Sequence, residues 1–360
     1  MSIVESRFLR SKGFHTLSVE LILDIVLLVP RSTLVQLQRT CRYLQAVVSR
    51  MIYRDVAVRG LTARRLFITI ARTPNTTIDY AALLTSLSYS GSSSSDFHLT
   101  YPIFCESLRY LYRLQKLDLS IPSAHGTFMM EQLQRSGIIR FSACDNVLPV
   151  LRELTVKGDH RLLAIAAHRK LQTIVLRSEM SQAGASEFVD MLASNKQSRN
   201  LRHLTLFLSF TSAWNLIFLL REISDSCPGV EEVNLRIFKV NALELSDALA
   251  SPPLMFPSLR SFEVNTYMGG YPEFVASATR CLARQSQHVI TAGRLRPSLK
   301  HVAFGDLKWV RSKTGGGGWE RDSRFDRELV VRSVDPSDQL FGGGYVCYLS
   351  ERYSHFPYWR

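Results

Sequence analysis

Leu114-Gln115-Lys116-Leu117-Asp118-Leu119 carries three apolar side chains in the order apolar-x-x-apolar-x-apolar. The last two are two positions apart, so in an extended chain they point to the same side. The same order recurs at Leu84-Leu87-Tyr89, Leu151-Leu154-Val156, Leu171-Ile174-Leu176 and Leu201-Leu204-Leu206, then at Val230-Val233-Leu235, Leu259-Phe262-Val264 and Leu299-Val302-Phe304. The eight starts lie 30, 37, 20, 30, 29, 29 and 40 residues apart, too regular a phase for chance. Between the triplets the apolar spacing turns helical, as at Phe188, Met191 and Leu192, at Leu216, Leu219, Leu220 and Ile223, and at Phe274, Ala278, Cys281 and Leu282. Pro228-Gly229, Pro257-Ser258 and Pro297-Ser298 stand just ahead of three triplets, where they end a helix and set up a strand. Strand alternating with helix predicts an α/β fold with parallel strands.

The period resembles that of leucine-rich repeats, in an irregular form. The asparagine that usually follows the motif is missing: Ser209 holds its place after Leu206, and Pro122 after Leu119. The resemblance implies an irregular solenoid over residues 57–306 with a parallel sheet on its concave face. Residues between the core positions then face that side. Lys116, Asp118, Glu153, Lys157, Arg177, His203, Phe207, Glu232, Arg236 and Glu263 are the candidates for holding a client. Both charge signs and an aromatic suit a protein or peptide better than a polyanion. A solvated face with no client is the plainer alternative.

Residues 14–56 read as three short helices. Ser18 is placed to cap the first, and Pro30 stops it by driving Val29 out of helical geometry. Ser32 and Thr40 are expected to cap the second and third. In the third, Leu44, Val47, Val48, Met51 and Ile52 fall at i, i+3, i+4, i+7 and i+8. The first helix has Leu21, Ile22, Ile25, Val26, Leu28 and Val29, which cover more than one face. A second apolar stripe needs a second surface. Forty residues do not build a self-sufficient core, so the module leans on a neighbour or a partner. It could simply seal the end of the repeats.

The segment resembles an F-box, the adaptor-binding motif of cullin-type (SCF) ubiquitin ligases. The likeness runs without a gap through Leu17, Glu20-Leu21-Ile22, Ile25-Val26, Val29-Pro30, Leu34, Leu37, Cys41-Arg42 and Leu44, and continues through Met51 to Val56. Ser18, Thr40 and Leu44 stand where the family more often has proline, valine and an aromatic, and none of them is a charge. The resemblance implies binding to the acidic Skp-family adaptor, and through it to cullin, with Leu17, Leu21, Ile25, Pro30, Leu34 and Leu37 as the contact residues.

Other features narrow the function. No uninterrupted apolar run is long enough to cross a membrane, and Glu20 and Asp24 spoil the most apolar N-terminal stretch as a secretory signal, so a cytoplasmic or nuclear location is expected. Cys41, Cys105, Cys144, Cys227, Cys281 and Cys347 form no C-x-x-C pair and read as small apolar fillers. The nine histidines show no metal spacing, no G-x-S-x-G elbow occurs, and Gly315 to Gly318 lack the Gly-Lys-Ser/Thr ending of a phosphate loop. No cofactor, metal or catalytic activity is expected. The glycines read as a hairpin turn between Trp309-Val310 and Trp319. Residues 307–360 read as that hairpin followed by an aromatic-rich cap containing Phe341, Tyr345, Tyr348, Tyr353, Phe356, Tyr358 and Trp359. The polar stretch from Ser90-Gly91 to Asp96 reads as an insertion loop.

The formal charge of +13 is uneven: residues 1–72 hold twelve Lys/Arg and four Asp/Glu, a net of +8. The basic residues are scattered without aromatic interleaving, which favours an acidic protein partner over nucleic acid. These readings lead to a substrate-receptor subunit of a ubiquitin ligase. The alternatives are a repeat-based interaction scaffold outside the ubiquitin system and a nucleic-acid binder driven by the basic N-terminus. The last predicts association with DNA or RNA that weakens steeply with added salt. A flat salt response in a titration with oligonucleotide removes it.

Overall fold

The structure, a computed structural model, describes residues 17–72, 79–91, 96–139, 147–209, 212–238, 256–267, 286–287, 289–291, 293–294, 297–304, 307–312 and 318–321. Three helices come first: α1 (Val19–Leu28), α2 (Arg31–Leu37) and α3 (Arg42–Ile52). Strands and helices then alternate as β1 (Asp55–Arg59), α4 (Gly60–Arg72), α5 (Tyr80–Leu83), β2 (Ser86–Ser90), α6 (Phe97–Leu108), β3 (Lys116–Ser120), α7 (Gly126–Arg135) and β4 (Glu153–Lys157). They continue as β5 (Thr173–Leu176), β6 (Met180–Ser181), α8 (Gln182–Ser194), β7 (His203–Ser209), α9 (Ala213–Ser226), β8 (Glu232–Phe238), β9 (Ser261–Tyr267) and β10 (His301–Phe304). The last described elements are β11 (Leu307–Arg311) and β12 (Trp319–Arg321).

The α/β class and the parallel sheet expected from the triplets are what the fold has. All twelve strands form one sheet in chain order, apart from the two-residue β6, which pairs with the end of β7. Pairing is parallel from β1 to β10 and antiparallel from β10 through β11 to β12. Register turns the triplets into columns. Leu87, Leu117, Leu154, Ile174, Leu204, Val233, Phe262 and Val302 stand side by side on consecutive neighbours. The residue that starts each triplet, from Leu84 to Leu299, is buried.

Those side chains and the inner faces of α4, α6, α7, α8 and α9 make one continuous core. Along β2, β4 and β7 buried residues alternate strictly with half-exposed ones. Parallel sheets are usually covered on both sides and read as continuous apolar runs. Here the alternation leaves one face bare among the described residues.

A ninth triplet escaped the sequence pattern. Val56 pairs with Leu87 and Val58 with Tyr89, which puts Tyr53 in the place of Leu84. Tyr53 and Val56 fall inside the stretch that reads as the helical module, which hides the triplet. Tyr53 sits where the N-terminal module meets the sheet, packing against both cores and edge-on to Tyr80 at 4.7 Å. The module keeps its own core of Ile22, Val26, Leu34, Leu44, Val47, Val48 and Ile52.

Two expected caps are replaced. Ser18 does cap α1, its hydroxyl accepting from the Leu21 N–H, and Val29 is extended ahead of Pro30. Ser32, however, lies inside α2, whose N-cap is Pro30 (φ −57°, ψ 146°), with the Pro30 carbonyl accepting from Thr33 and Leu34. Thr40 does not cap α3, because its hydroxyl donates to the Leu37 carbonyl and so finishes α2. The Cys41 thiol takes that place, accepting from the Leu44 N–H at 3.5 Å, so this half-exposed residue is more than an apolar filler. Cys105 and Cys227 are buried as expected.

The helices expected around Phe188 and Leu216 are α8 and α9. The one expected around Phe274, with Cys144, Cys281, Cys347 and the aromatic C-terminal stretch, lies outside the described residues. The hairpin is present as β11 and β12, with the Ser312 N–H donating to the Gly318 carbonyl.

The shortest spacing, 20 residues from Leu151 to Leu171, leaves no room for a full α-helix, and a 3-10 helix at His160–Ala166 replaces it. Such a turn leaves carbonyls without partners. Arg169 serves the end of the turn, donating to the carbonyls of Ile165 and Ala167 (3.2 Å), and ties it to the preceding segment through those of Ile138 (3.0 Å) and Val147 (3.2 Å). Burial pulls its guanidinium pKa down to about 10, still charged at neutral pH. Lysine has neither the planar fork nor the number of donors to replace it. Arg169→Ala should therefore destabilise the protein by about 3 kcal/mol or more, and Arg169→Lys should recover only part of that, in urea unfolding followed by circular dichroism.

Candidate functional site

Successive residues of an α-helix are rotated by roughly 100°. On α1 this places Ile22 and Val26 on the side that enters the module core. Leu21, Ile25 and Leu28, at i, i+4 and i+7, form a second stripe about a third of a turn away. That stripe is bare: Leu21 is 52% exposed, Ile25 41% and Leu28 87%. Leu27, on another side of the same helix, is 65% exposed. At the start of the helix the Glu20 backbone N–H and then the Ser18 hydroxyl hold the Glu20 carboxyl below its usual range. A charge of that sign favours a helix N-terminus.

The six residues expected to contact an adaptor divide. Leu21, Ile25 and Pro30 are exposed, Leu17 and Leu37 are half-buried against the module core, and Leu34 is buried at 7% within it. Leu28, the most exposed of all, was absent from that set. Its signal was the excess of apolar residues around α1, but the sequence does not say which stripe the module keeps for itself. Between α2 and α3, an open depression of about 520 Å³ is lined by Gln38, Arg39, Cys41, Arg42 and Gln45, which adds two cations to the module.

The bare face of the sheet is organised by register into rows. Just ahead of the strands, Arg54, Arg152, Arg202, Arg260 and Lys300 occupy equivalent places, and Glu231 bridges Arg202 (3.4 Å) and Arg260 (3.1 Å). The first row on the strands holds Asp55, Lys116, Glu153, His203, Glu232 and His301. Within it Lys116 pairs with Glu153 at 2.7 Å, and His203 Nδ1 lies 2.9 Å from Glu232. The second row holds Asp118 and Glu263 and, from β1 to β10, no Lys or Arg.

The third row holds Arg59, Lys157, Phe207 and Arg236, joined by Arg177 just past the end of β5. It contains no acid among the described residues. Arg177 reaches back to Asp118 at 3.7 Å. The ten residues expected on this face are thus all on it; charge is mixed in the first row and sorted by sign in the second and third. Exposed pairs of this kind contribute only about 0–1 kcal/mol each, so they add little to stability.

Among the described residues no group of three or more His, Cys, Asp or Glu could hold a metal ion, and no helix is long and apolar enough to cross a membrane. No family model matches the chain, and no curated protein matches it.

The two kinds of leucine in the module should respond differently to charge. Leu28→Arg should leave stability within about 0.5 kcal/mol, because the side chain is already in water. Leu34→Arg should cost about 3 kcal/mol or more, because it places an unpaired cation in the module core. Denaturant unfolding and limited proteolysis of residues 17–53 would distinguish the two.

Proposed function

We propose that the chain is a substrate-receptor subunit of a cullin-type ubiquitin ligase, an F-box module joined to irregular leucine-rich repeats. Residues 17–52 would dock on the Skp-family adaptor, and the bare face of the sheet would hold a protein client. The observation that carries this reading is the apolar stripe of Leu21, Ile25 and Leu28, which the module's own packing leaves in water. Burying an exposed aliphatic side chain is worth roughly 1.5–3 kcal/mol, so three in one patch can anchor a partner without an ion pair. The surrounding positive charge would speed encounter with an acidic adaptor more than it tightens the complex. In this role the chain supplies proximity between client and ubiquitin-transfer machinery carried by other subunits.

The alternative is a repeat-based scaffold whose helices only seal one end of the sheet, and the packing of Tyr53 against both cores favours it. Because β1 begins at Asp55, a deletion that separates the two readings should stop before Tyr53. Under the receptor reading, the full chain co-expressed with a Skp-family adaptor co-purifies with it, and Leu21→Arg and Leu28→Arg abolish the association while thermal unfolding stays unchanged. Leu34→Arg is not diagnostic, since it unfolds the module. No association of the unmodified chain, or association that ignores both substitutions, overturns the proposal.

A further inference from the structure

The row Lys157, Arg177, Phe207 and Arg236 lies on β4, just past β5, on β7 and on β8, which are consecutive neighbours in the sheet. We infer that it is the docking site for an extended Asp/Glu-rich segment of a protein. The inference rests on reading the bare face as a client surface, and it names the chemistry of that client.

Three observations converge on this row. The first is geometric. Neighbouring strands are about 4.8 Å apart, so the row is roughly 14 Å long. An extended peptide presents side chains to one side about every 7 Å, so a segment laid across the strands can offer carboxylates to Lys157 or Arg177 and to Arg236. Phe207, between the two arginines, gives the intervening residue an apolar surface.

The second is charge. The row has no acid of its own, while the second row carries Asp118 and Glu263 and no Lys or Arg, and the first carries Asp55, Glu153 and Glu232 against Lys116. An anionic chain is attracted to this line and repelled from the middle of the sheet, which confines it to one track. The other basic line, ahead of the strands, is less suited. Glu231 engages both Arg202 at 3.4 Å and Arg260 at 3.1 Å, whereas in the proposed row Arg177 has one contact, with Asp118 at 3.7 Å, and Arg236 makes no ion pair among the described residues.

The third is unmet hydrogen bonding. Arg236 makes no ion pair among the described residues, and its buried Nε has no acceptor. Two residues back on the same side of β8, the buried Asn234 Oδ1 has no donor. Buried polar atoms of this kind call for partners. The side chain of Arg236 as a whole is only half-buried, so a carboxylate of an acidic peptide can reach its guanidinium.

The test is fluorescence anisotropy of the full chain with three labelled probes: an alternating Glu-Ala peptide, its Lys-Ala counterpart and an oligothymidylate. The Glu-Ala peptide should bind, and Arg177→Glu and Arg236→Glu should each weaken it about tenfold or more. Arg236→Gln, which keeps the size of the side chain, should also weaken it, while Lys116→Glu in the first row should change it less than about twofold. Thermal unfolding of each variant checks that the sheet is intact. Equal binding of the Lys-Ala peptide, indifference to both reversals, or tighter binding of oligothymidylate lost in the same variants overturns the inference. Adaptor co-purification separates the two proposals. If the adaptor binds and the Glu-Ala peptide does not, only this inference falls. If the peptide binds through Arg236 and the adaptor never does, the acidic-segment site stands and the ligase reading falls.

Discussion

One hydrogen-bond pattern governs the sheet. At the threshold of each strand from β2 to β5 and from β7 to β10, a single carbonyl of the preceding segment accepts two consecutive N–H groups. The Arg54 carbonyl takes Thr85 and Ser86; Thr85 takes Gln115 and Lys116; Gln115 takes Arg152 and Glu153; and the series runs on to Arg260, which takes Lys300 and His301. Each step fixes where the next strand enters, so the register cannot slip. A slip of one residue would carry every leucine of a strand from the core to water. The columns of buried side chains and the rows on the bare face both follow from it.

That constraint explains what the amino-acid order revealed. Eight triplets were legible because core positions must be apolar whatever lies between them, and the structure sets all eight in one register. The limits of α1 were legible because Ser18 and Pro30 act through strong local rules. Tyr53 was missed because it and Val56 fall inside the stretch that reads as the helical module. The caps at Ser32 and Thr40 were misjudged because local preference lost to neighbours: Pro30 already supplied the geometry, and Thr40 had a carbonyl to serve. The sorting of charge into rows was not legible at all. It requires Asp118 and Arg177, 59 positions apart in the chain, to be placed within 3.7 Å.

The module and the sheet keep separate cores joined at Tyr53, and this division bears on the proposed role. A unit of about forty residues with its own small core is marginal by itself. Its bare α1 stripe is a liability in isolation and an asset beside a partner, since covering it adds burial that the chain cannot supply internally. A helix end sealed wholly against the sheet would have no such reserve. The same logic runs in the opposite sense on the sheet, where polar rows keep the exposed face from attracting apolar surfaces at random.

The connections between strands differ greatly while the strands do not. A 3-10 turn pinned by Arg169 completes one crossover, and long α-helices complete others. Each strand finds its place through the carbonyl before it, so the outer layer has latitude in length and shape. Insertions there would thicken the far side without shifting a residue on the bare face. A lineage carrying this architecture could therefore remodel its exterior freely while the rows of the bare face stay in place, or alter single residues in a row without disturbing the scaffold.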